Sequence, residues 1–486
     1  MRILFAVTHL GFLRNFESTL ALLAERGHTV HLVSDRKAQP GVVTDGLPIV
    51  ERLQARFPGA FSLETIPAAK RDPAHAVSTV VRETLNYWRY LSPPFDDAPA
   101  LRARGREQAP AALVAMSDLP VLRSRAGVHT LTAVFRALER AIPVRPEIDA
   151  LFDRLAPDVL LVTPLLYFGS RQVDYVRAAR RRGIGSVLGV GSWDHLTTKG
   201  LIHELPDRIV VWNELQRAEA VALHGAAADQ VVVTGAQAYD HWFRTQPSTT
   251  REAFCARVGL PPQRPYLLYL CSSPFIAPQE VDVVRRWMAA IRGSNDPVLR
   301  TAGLLVRPHP QNAGQWADVD VSGYHDAAVW PRGGANPIGP EARSEYYDSM
   351  FHAHAVVGVN TSAMIESGIV GRLVFSFHVP ELTSTQEGTL HFRHLRDGGL
   401  LTLAGHLDDH VAQLARSFIS ADGDRARVRE FIRLFVRPHG LDQPATPRVV
   451  DAIEAQAERR PAPRRLPLHL RPLQLGLRAV VGMRRA

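Results

Sequence analysis

The sequence has 486 residues and a mass of 53.7 kDa, more than one ordinary hydrophobic core accommodates, so about two domains of conventional size are predicted. With 46% hydrophobic residues, 22% charged residues and a mean hydropathy of −0.08, the chain is globular in type, neither disordered nor collagen-like. The net charge of +9 is local: residues 459–486 hold eight arginines and no acid, and taking these from the 57 basic residues leaves 49 against 48 acidic ones, which argues against nucleic acid as a partner of the body.

Met1-Arg2 leads directly into ILFAV, a buried strand without signal-peptide architecture, and no stretch approaches 18 uncharged apolar residues. A cytoplasmic chain, neither secreted nor spanning a membrane, is predicted. NFESTLALLAERG reads as an amphipathic helix ending at Gly27, and HTVHLVSD as a second strand. Strand, helix and strand in this order form a βαβ unit, which needs a parallel sheet and a right-handed crossover. Residues near 93–150, rich in Ala, Arg and Pro with helical spacing in LTAVFRALERAI, predict a helical excursion. The alternation resumes with PDVLLVTPLLYFG, VDYVRAARRRG, IGSVLGVGSWDH, DRIVVWN, ELQRAEAVALHG and DQVVVTGA, completing a Rossmann-like domain over 1–245.

The polar, proline-containing stretch 246–265 reads as the linker. A second series over 266–440 runs YLLYLCSS, EVDVVRRWMAAIRG, AGLLVRPHP, EYYDSMFHAHA, VVGVN, TSAMIESGIVG and LVFSF, and 441–486 forms a C-terminal helix and basic tail. The fold class is therefore α/β, with two facing Rossmann-like domains and a ligand cleft at the carboxyl ends of their sheets. Cys255 and Cys271 are the only cysteines, which supports neither a disulfide framework nor a cysteine metal site and suits a reducing compartment.

The most informative segment is VVGVNTSAMIESGIVGRLVFSF, where a strand ends at Asn360-Thr361-Ser362 and a helix follows. These residue types cap helices, and N–H groups at a helix start suit the phosphates of a nucleotide diphosphate. Glu366, one turn after Ser362, is placed to accept from ribose or sugar hydroxyls; an ordinary capped helix with a solvent-facing Glu is the plain alternative. Arg307 and His309 in LLVRPHPQN stand just past an apolar strand as phosphate ligands, or as members of a polar turn. Ser272 and Ser273 after YLLYLC are candidate phosphate donors with simple turn chemistry as the alternative.

In the first domain His9 follows the first strand and is the best candidate for a general base toward an acceptor hydroxyl, with a structural histidine as the competing reading. That turn has no GxGxxG, against a standard NAD or FAD fingerprint. GVGSWDHLTTKG crowds Trp193, Asp194, His195, Thr197, Thr198 and Lys199 into one loop, suited to a hydroxyl-rich acceptor or the phosphate of a lipid carrier, or to Asp capping the next segment. Glu387 in STQEGTLHFRHL is a candidate for binding donor hydroxyls or assisting proton transfer, and the nearby histidines are too irregular for a metal site. No protein-bound metal and no cofactor are predicted. The tail interleaves its arginines with leucines and valines, a pattern suited to an anionic membrane surface or to a merely solvated extension; Pro461, Pro463, Pro467 and Pro472 interrupt its first half, leaving LQLGLRAVVGMRR as the ordered part.

Together these segments, over about residues 1–440, resemble the GT-B superfamily of nucleotide-sugar glycosyltransferases, especially bacterial surface-polysaccharide enzymes, with the CDP-glycerol glycerophosphotransferases and non-hydrolysing UDP-GlcNAc 2-epimerases as relatives. SWDHLTTKG looks like the SWDN-L-T-KG loop of such proteins, with His195 in place of the Asn. LLVRPHP and GVNTSAMIESGIVGRLV look like donor-domain signatures. The resemblance implies a metal-independent enzyme with the donor diphosphate and ribose at Arg307, His309, Thr361, Ser362 and Glu366, and the acceptor near His9 and residues 189–200. The expected activity is transfer of a sugar from a nucleotide-sugar donor to a glycan or lipid-linked acceptor in surface polysaccharide synthesis. A CDP-glycerol-type glycerophosphotransferase and a non-catalytic nucleotide-binding component of an assembly complex are the alternatives; the paired acids of an epimerase are not found in the first domain.

Overall fold

The computed structural model describes residues 1–34, 46–64, 73–120 and 125–480. It divides into two compact units, residues 1–238 with 437–486, and residues 239–436.

The first unit is built on β1 (Arg2–Val7), β2 (Thr29–Ser34), β3 (Phe61–Glu64), β4 (Val159–Thr163), β5 (Gly185–Gly189), β6 (Arg208–Val211) and β7 (Val231–Val233), in the order β3-β2-β1-β4-β5-β6-β7. Every pair is parallel, with Val7 of β1 opposite Ser34 of β2 and Thr163 of β4. Both faces are covered, which is why the central strands read as continuous apolar runs rather than alternating ones. Ile3, Phe5 and Val7 face Leu20 and Leu23 of the helix Glu17–Glu25 and Val449, Val450 and Ile453 of the helix Ala445–Arg459. Leu4 and Ala6 face the opposite way, toward Ile148 and Phe152 of the helix Pro146–Leu155 and Val173 and Val176 of the helix Gln172–Arg182. Each of the Val, Leu, Ile and Phe side chains among them contributes on the order of 1.5–3 kcal/mol by leaving water.

Between β3 and β4 the chain forms the helices Pro73–Arg89, Pro99–Gln108, Ala111–Ser117, Arg125–Ala141 and Pro146–Leu155, so the excursion starts some twenty residues before the predicted 93. The reason is the apolar stripe of Val81, Leu85 and Trp88, which packs with Val114 and Ile142 in a core of its own. A buried ion network ties these helices to the sheet: Arg82 donates to Glu139 (2.9 Å), to the Ser170 carbonyl (3.3 Å) and to Asp174 (3.4 Å). Burial opposes ionisation of Glu139, but His203, Arg82 and Arg177 outweigh it and hold the carboxyl well below its usual range.

The second unit is built on β8 (Tyr266–Leu270), β9 (Gly303–Arg307), β10 (Ala327–Val329), β11 (Ala355–Gly358), β12 (Leu373–Phe377) and β13 (Leu401–Ala404), all parallel in the order β10-β9-β8-β11-β12-β13. Trp287 and Trp316, both fully buried, anchor its core. The segment predicted as a linker is part of this unit. Ser248 donates its N–H and hydroxyl to the buried Asp348 (2.8 and 2.6 Å), and Thr250 caps the helix Arg251–Val258.

After the helix Asp422–Phe435 the chain returns to the first unit, where Thr446 Oγ1 meets Ser18 Oγ at 2.8 Å and Arg26 bonds Asp451 at 2.8 Å. The tail then forms a helix over Arg471–Val480 that packs on the helix Arg125–Ala141, with Leu470 buried and Leu477 against the Trp88 cluster. Pro472 sits in the first turn, where its missing N–H costs nothing, while Leu468, Leu473 and Leu475 remain exposed. Val481, Arg484 and Arg485 of the predicted anchor lie outside the described residues. Among the described residues no helix is long and apolar enough to cross a membrane.

Candidate functional site

In the second unit the chemistry gathers at the carboxyl edge of the sheet. Arg307, the last residue of β9, is 4% exposed; its Nη1 donates to Glu345 (3.0 Å) and its guanidinium lies 5.0 Å over the Tyr346 ring. Arg307 Nη2 is buried and has no hydrogen-bond partner among the described residues, an unmet donor in a setting where such groups are costly. Glu345 and Tyr346 come from the helix Pro340–Phe351, and the Tyr346 hydroxyl donates to Glu366 at 2.5 Å. Burial, and then Glu366, push the Tyr346 phenol well above its usual value, so it stays a donor. Arg307 and Glu366, 59 residues apart in sequence, thus meet through one aromatic ring, with Trp242 edge-on to it at 5.7 Å.

The loops around this group are cross-braced. Asn360 Nδ2 donates to the Thr385 carbonyl (2.9 Å) and Thr389 Oγ1 (3.3 Å), and Thr385 Oγ1 donates to the Ile276 carbonyl (2.6 Å). Asn312, three residues past His309, donates to the Ala277 carbonyl (2.8 Å). Ser272 is fully buried and donates its N–H (2.6 Å) and hydroxyl (3.2 Å) to Glu280, which is itself fully buried; burial pushes Glu280 up to about 7 against the pull of those donors. The Ser272 hydroxyl therefore points into the protein, while Ser273 is half-buried. At the helix Ala363–Ile369, Ser362 is exposed and its side chain makes no cap; Thr361 Oγ1 accepts from Ala363 N at 3.4 Å instead. The capping role predicted for Asn360 goes to bracing, because its amide finds the 385–389 segment. His309 Nδ1 accepts from Gln311 N (3.2 Å), and Glu387 pairs loosely with His378 (3.8 Å) on a half-exposed loop.

At the carboxyl edge of the first sheet, the His9 ring lies tilted against Phe12 with ring centroids 4.5 Å apart, and the same Phe12 lies 6.0 Å from His195. Tyr167 closes the group, 5.5 Å from Phe12 and 6.5 Å from His195, with Lys199 Nζ 5.3 Å over its ring. Asp194 accepts from Ser192 Oγ (2.5 Å) and Thr198 Oγ1 (2.8 Å) and lies 3.7 Å from Lys199 Nζ. His195 is 4% exposed; burial, set against Asp194, brings it down to about 4, so it is neutral at pH 7, and its Nδ1 has no hydrogen-bond partner among the described residues. The loop backbone is held from behind: Arg89 donates to the carbonyls of Leu196, Lys199 (2.6 Å) and Gly200 (2.8 Å), and the Tyr90 hydroxyl to Lys199 (2.6 Å). Among the described residues no three His, Cys, Asp or Glu side chains converge as a metal site.

No protein-family model and no curated protein sequence matches the chain. Solved structures do match. The UDP-GlcNAc 2-epimerase of Neisseria meningitidis bound to UDP-GlcNAc aligns over 94% of this chain and 100% of its own, with a TM-score of 0.53 at 10% identity. A glycosyltransferase of Rickettsia africae aligns over 94% and 99% with a TM-score of 0.52 at 8% identity. The Methanocaldococcus jannaschii UDP-GlcNAc 2-epimerase in complex with UDP-GlcNAc and UDP aligns over 94% and 100% with a TM-score of 0.50 at 11% identity. The fold is GT-B.

Within this fold, the strand-end residues singled out from the sequence lie at the carboxyl edges of the two sheets, while the residues that organise those edges were missed. Tyr346 and Glu345 lie inside a helix, Glu280 is one of 48 acids, and Arg89 belongs to the helical excursion, so none follows a strand or sits in a motif. Only the EYYDSM helix pattern placed Tyr346 on an element of the second series.

Proposed function

We propose that the chain is a glycosyltransferase that moves a sugar from a nucleotide-sugar donor to a hydroxyl of a glycan or lipid-linked acceptor in surface polysaccharide synthesis. The observation that carries this reading is the Arg307–Tyr346–Glu366 group, with a buried guanidinium N–H that has no hydrogen-bond partner among the described residues and an acceptor carboxylate across the same ring. The cation suits a diphosphate and the carboxylate suits ribose hydroxyls. GT-B neighbours that carry UDP or UDP-GlcNAc, and one that is a glycosyltransferase, support a nucleotide-sugar ligand.

In this reading the bond between the sugar's anomeric carbon and the diphosphate breaks as the acceptor oxygen bonds that carbon. Arg307 meets the charge developing on the leaving diphosphate with a donor already in place, the arrangement in which electrostatic stabilisation is largest. His309, Asn360, Thr361, Ser362 and Ser273 line the donor edge, and Ser272 acts through Glu280 by shaping the loop after β8. His9 takes the acceptor hydroxyl proton, with the neutral His195, Asp194 and Lys199 ordering the acceptor. Glu387 serves donor hydroxyls from its loop. The exposed Arg464, Arg465 and Arg471 with Leu468, Leu473 and Leu475 hold the protein at the cytoplasmic face of an anionic membrane.

The test is a panel of UDP-, GDP-, CMP- and CDP-linked donors, screened by thermal shift and then followed for nucleotide release with and without lipid-extract acceptor. Acceptor-dependent release of nucleotide diphosphate from a sugar donor is expected. Release of CMP from CDP-glycerol identifies a glycerophosphotransferase, epimerised product without acceptor identifies an epimerase, and binding without turnover identifies a non-catalytic component; each of these removes the transferase reading.

A further inference from the structure

The amino edge of the second sheet, opposite the edge just described, carries a basin of unusual charge. It opens among the residues that precede β8, β11 and β12 and is lined by Arg251, Gln263, Arg264, His352, His354 and Arg372, with no acidic side chain in its wall. Its volume of about 310 Å³ is at the lower end of the range for small-molecule sites. The five-residue strand β8 separates it from Ser272, a distance of about 17 Å at the usual rise per residue, so a ligand in one place does not touch the other.

Three features make this a built site rather than a chance gathering of surface charge. Arg251 is locked in place, donating to the carbonyls of Pro262 (3.1 Å), His352 and Arg264 and lying 5.2 Å over the Tyr266 ring. Arg372 donates Nη1 to the Ala353 carbonyl (3.1 Å), while its Nε is buried with no hydrogen-bond partner among the described residues. His354 is stacked on Phe418 at 3.8 Å and bonded to Ser417 Oγ at 3.0 Å. Burial first, and then Arg425, Arg372 and Arg251, brings His354 down to about 4, so the ring is neutral at pH 7. Of the acids nearby, Asp326 pairs with Arg264 (2.8 Å), Asp422 pairs with Arg425 (3.3 Å), and the exposed Glu252 acts on Arg251 and His352 from outside the wall. Arg251 and Arg372 bond to backbone carbonyls and to no carboxylate among the described residues, so their like charges repel and an anion relieves that repulsion.

From this arrangement we infer that the amino edge of the second sheet is a binding site for a compact phosphate-bearing anion, a diphosphate or a phosphate monoester, separate from the donor site. The forks of Arg264 and Arg372 supply charge-assisted donors, and Gln263 supplies a neutral one at the rim. The inference stands whether or not Arg307 binds a nucleotide.

The experiment is calorimetric titration of the full-length chain with inorganic pyrophosphate in an Arg307→Ala background, which removes the candidate diphosphate ligand at the other edge. Binding of one equivalent is expected, weakening with added salt and rising in Kd by about tenfold or more in Arg372→Ala, the worth of one charge-assisted hydrogen bond. Arg372 also supports the Ala353 carbonyl, so Gln263→Glu is the second variant; it is exposed and places a negative charge in the basin while leaving the packing intact. Pyrophosphate should raise the melting temperature of the Arg307→Ala protein and lose that effect in Arg307→Ala/Gln263→Glu. Absence of binding in the Arg307→Ala protein, or an affinity unchanged by Gln263→Glu, overturns the site. Inorganic phosphate titrated in parallel separates the two ligand forms: tighter binding of pyrophosphate assigns a diphosphate, equal binding a monoester.

Discussion

Replacing Arg307 by Ala is the perturbation that most directly probes the proposed donor edge. Its guanidinium is 4% exposed, gives Nη1 to Glu345 and holds Nη2 without a hydrogen-bond partner among the described residues, so under the proposed function the substitution should take from a bound diphosphate a desolvated, charge-assisted hydrogen bond. Such a bond is worth about 1.5–3 kcal/mol, or about 10- to 150-fold in Kd. The substitution also strands Glu345, whose side chain is 19% exposed, and breaking a largely buried pair costs on the order of 3 kcal/mol of stability. The two effects separate by design. Glu345→Gln weakens the same pair but keeps the cation, so it should lower stability while UDP binds as tightly as to the native chain or more so. Arg307→Lys keeps charge without the fork and should fall between native and Ala. Affinity is read by calorimetry with UDP, well below each variant's melting transition. A folded Arg307→Ala protein with native UDP affinity, or a Glu345→Gln protein that loses affinity as Arg307→Ala does, refutes the reasoning.

His9→Ala should lower the turnover rate by about 10²–10⁴-fold with nucleotide affinity kept, measured as kcat against Kd; normal turnover removes His9 from the mechanism. Glu280 has a folded value of about 7 against 4.5 in the unfolded chain, so it contributes about 3 kcal/mol below pH 4.5 that is lost as pH rises through 7. Glu280→Gln should remove that component from chemical-denaturation stability measured between pH 4.5 and 8, and an unchanged pH profile counts against a buried neutral carboxyl. Gly388→Ala should destabilise by about 1–3 kcal/mol in urea melts, because its Cβ would stand 2.5 Å from the Ser384 carbonyl oxygen; a native midpoint would show that the turn yields. Removing residues 459–486 should abolish salt-sensitive co-sedimentation with anionic liposomes and leave neutral liposomes unaffected, and identical behaviour of both proteins leaves the tail without a membrane role.

The central strands and their order of appearance were legible because a strand buried on both faces must be apolar throughout. ILFAV, VLLVT, YLLYL and LVFSF each became β-structure at full burial. Strands β3, β10 and β13 escaped notice, and all three lie at sheet edges, where one neighbour is missing and the apolar run shortens to FSLE, AAV and LTLA. The candidate site followed the same rule. Residues at the end of a strand or within a few positions past it, such as Arg307, Asn360, His9 and Asp194, were visible, because in parallel sheets the carboxyl edge is where ligands bind.

What the sequence determined by itself was the class of fold, two series of alternating strands and helices, and the shortlist of polar residues at strand ends. Tertiary structure decided which of those residues face one another and what each hydroxyl or amide does. Ser272 turns inward to Glu280, Asn360 braces a loop 25 residues away, and Arg307 and Glu366 meet through Tyr346. It also decided that the chain comes back, sending Ala445–Arg459 to cover the first sheet. The physical reason is range: burial and periodicity are local and survive in the order of residues, whereas a hydrogen bond or ion pair between distant segments exists only once packing has brought its partners within about 3 Å.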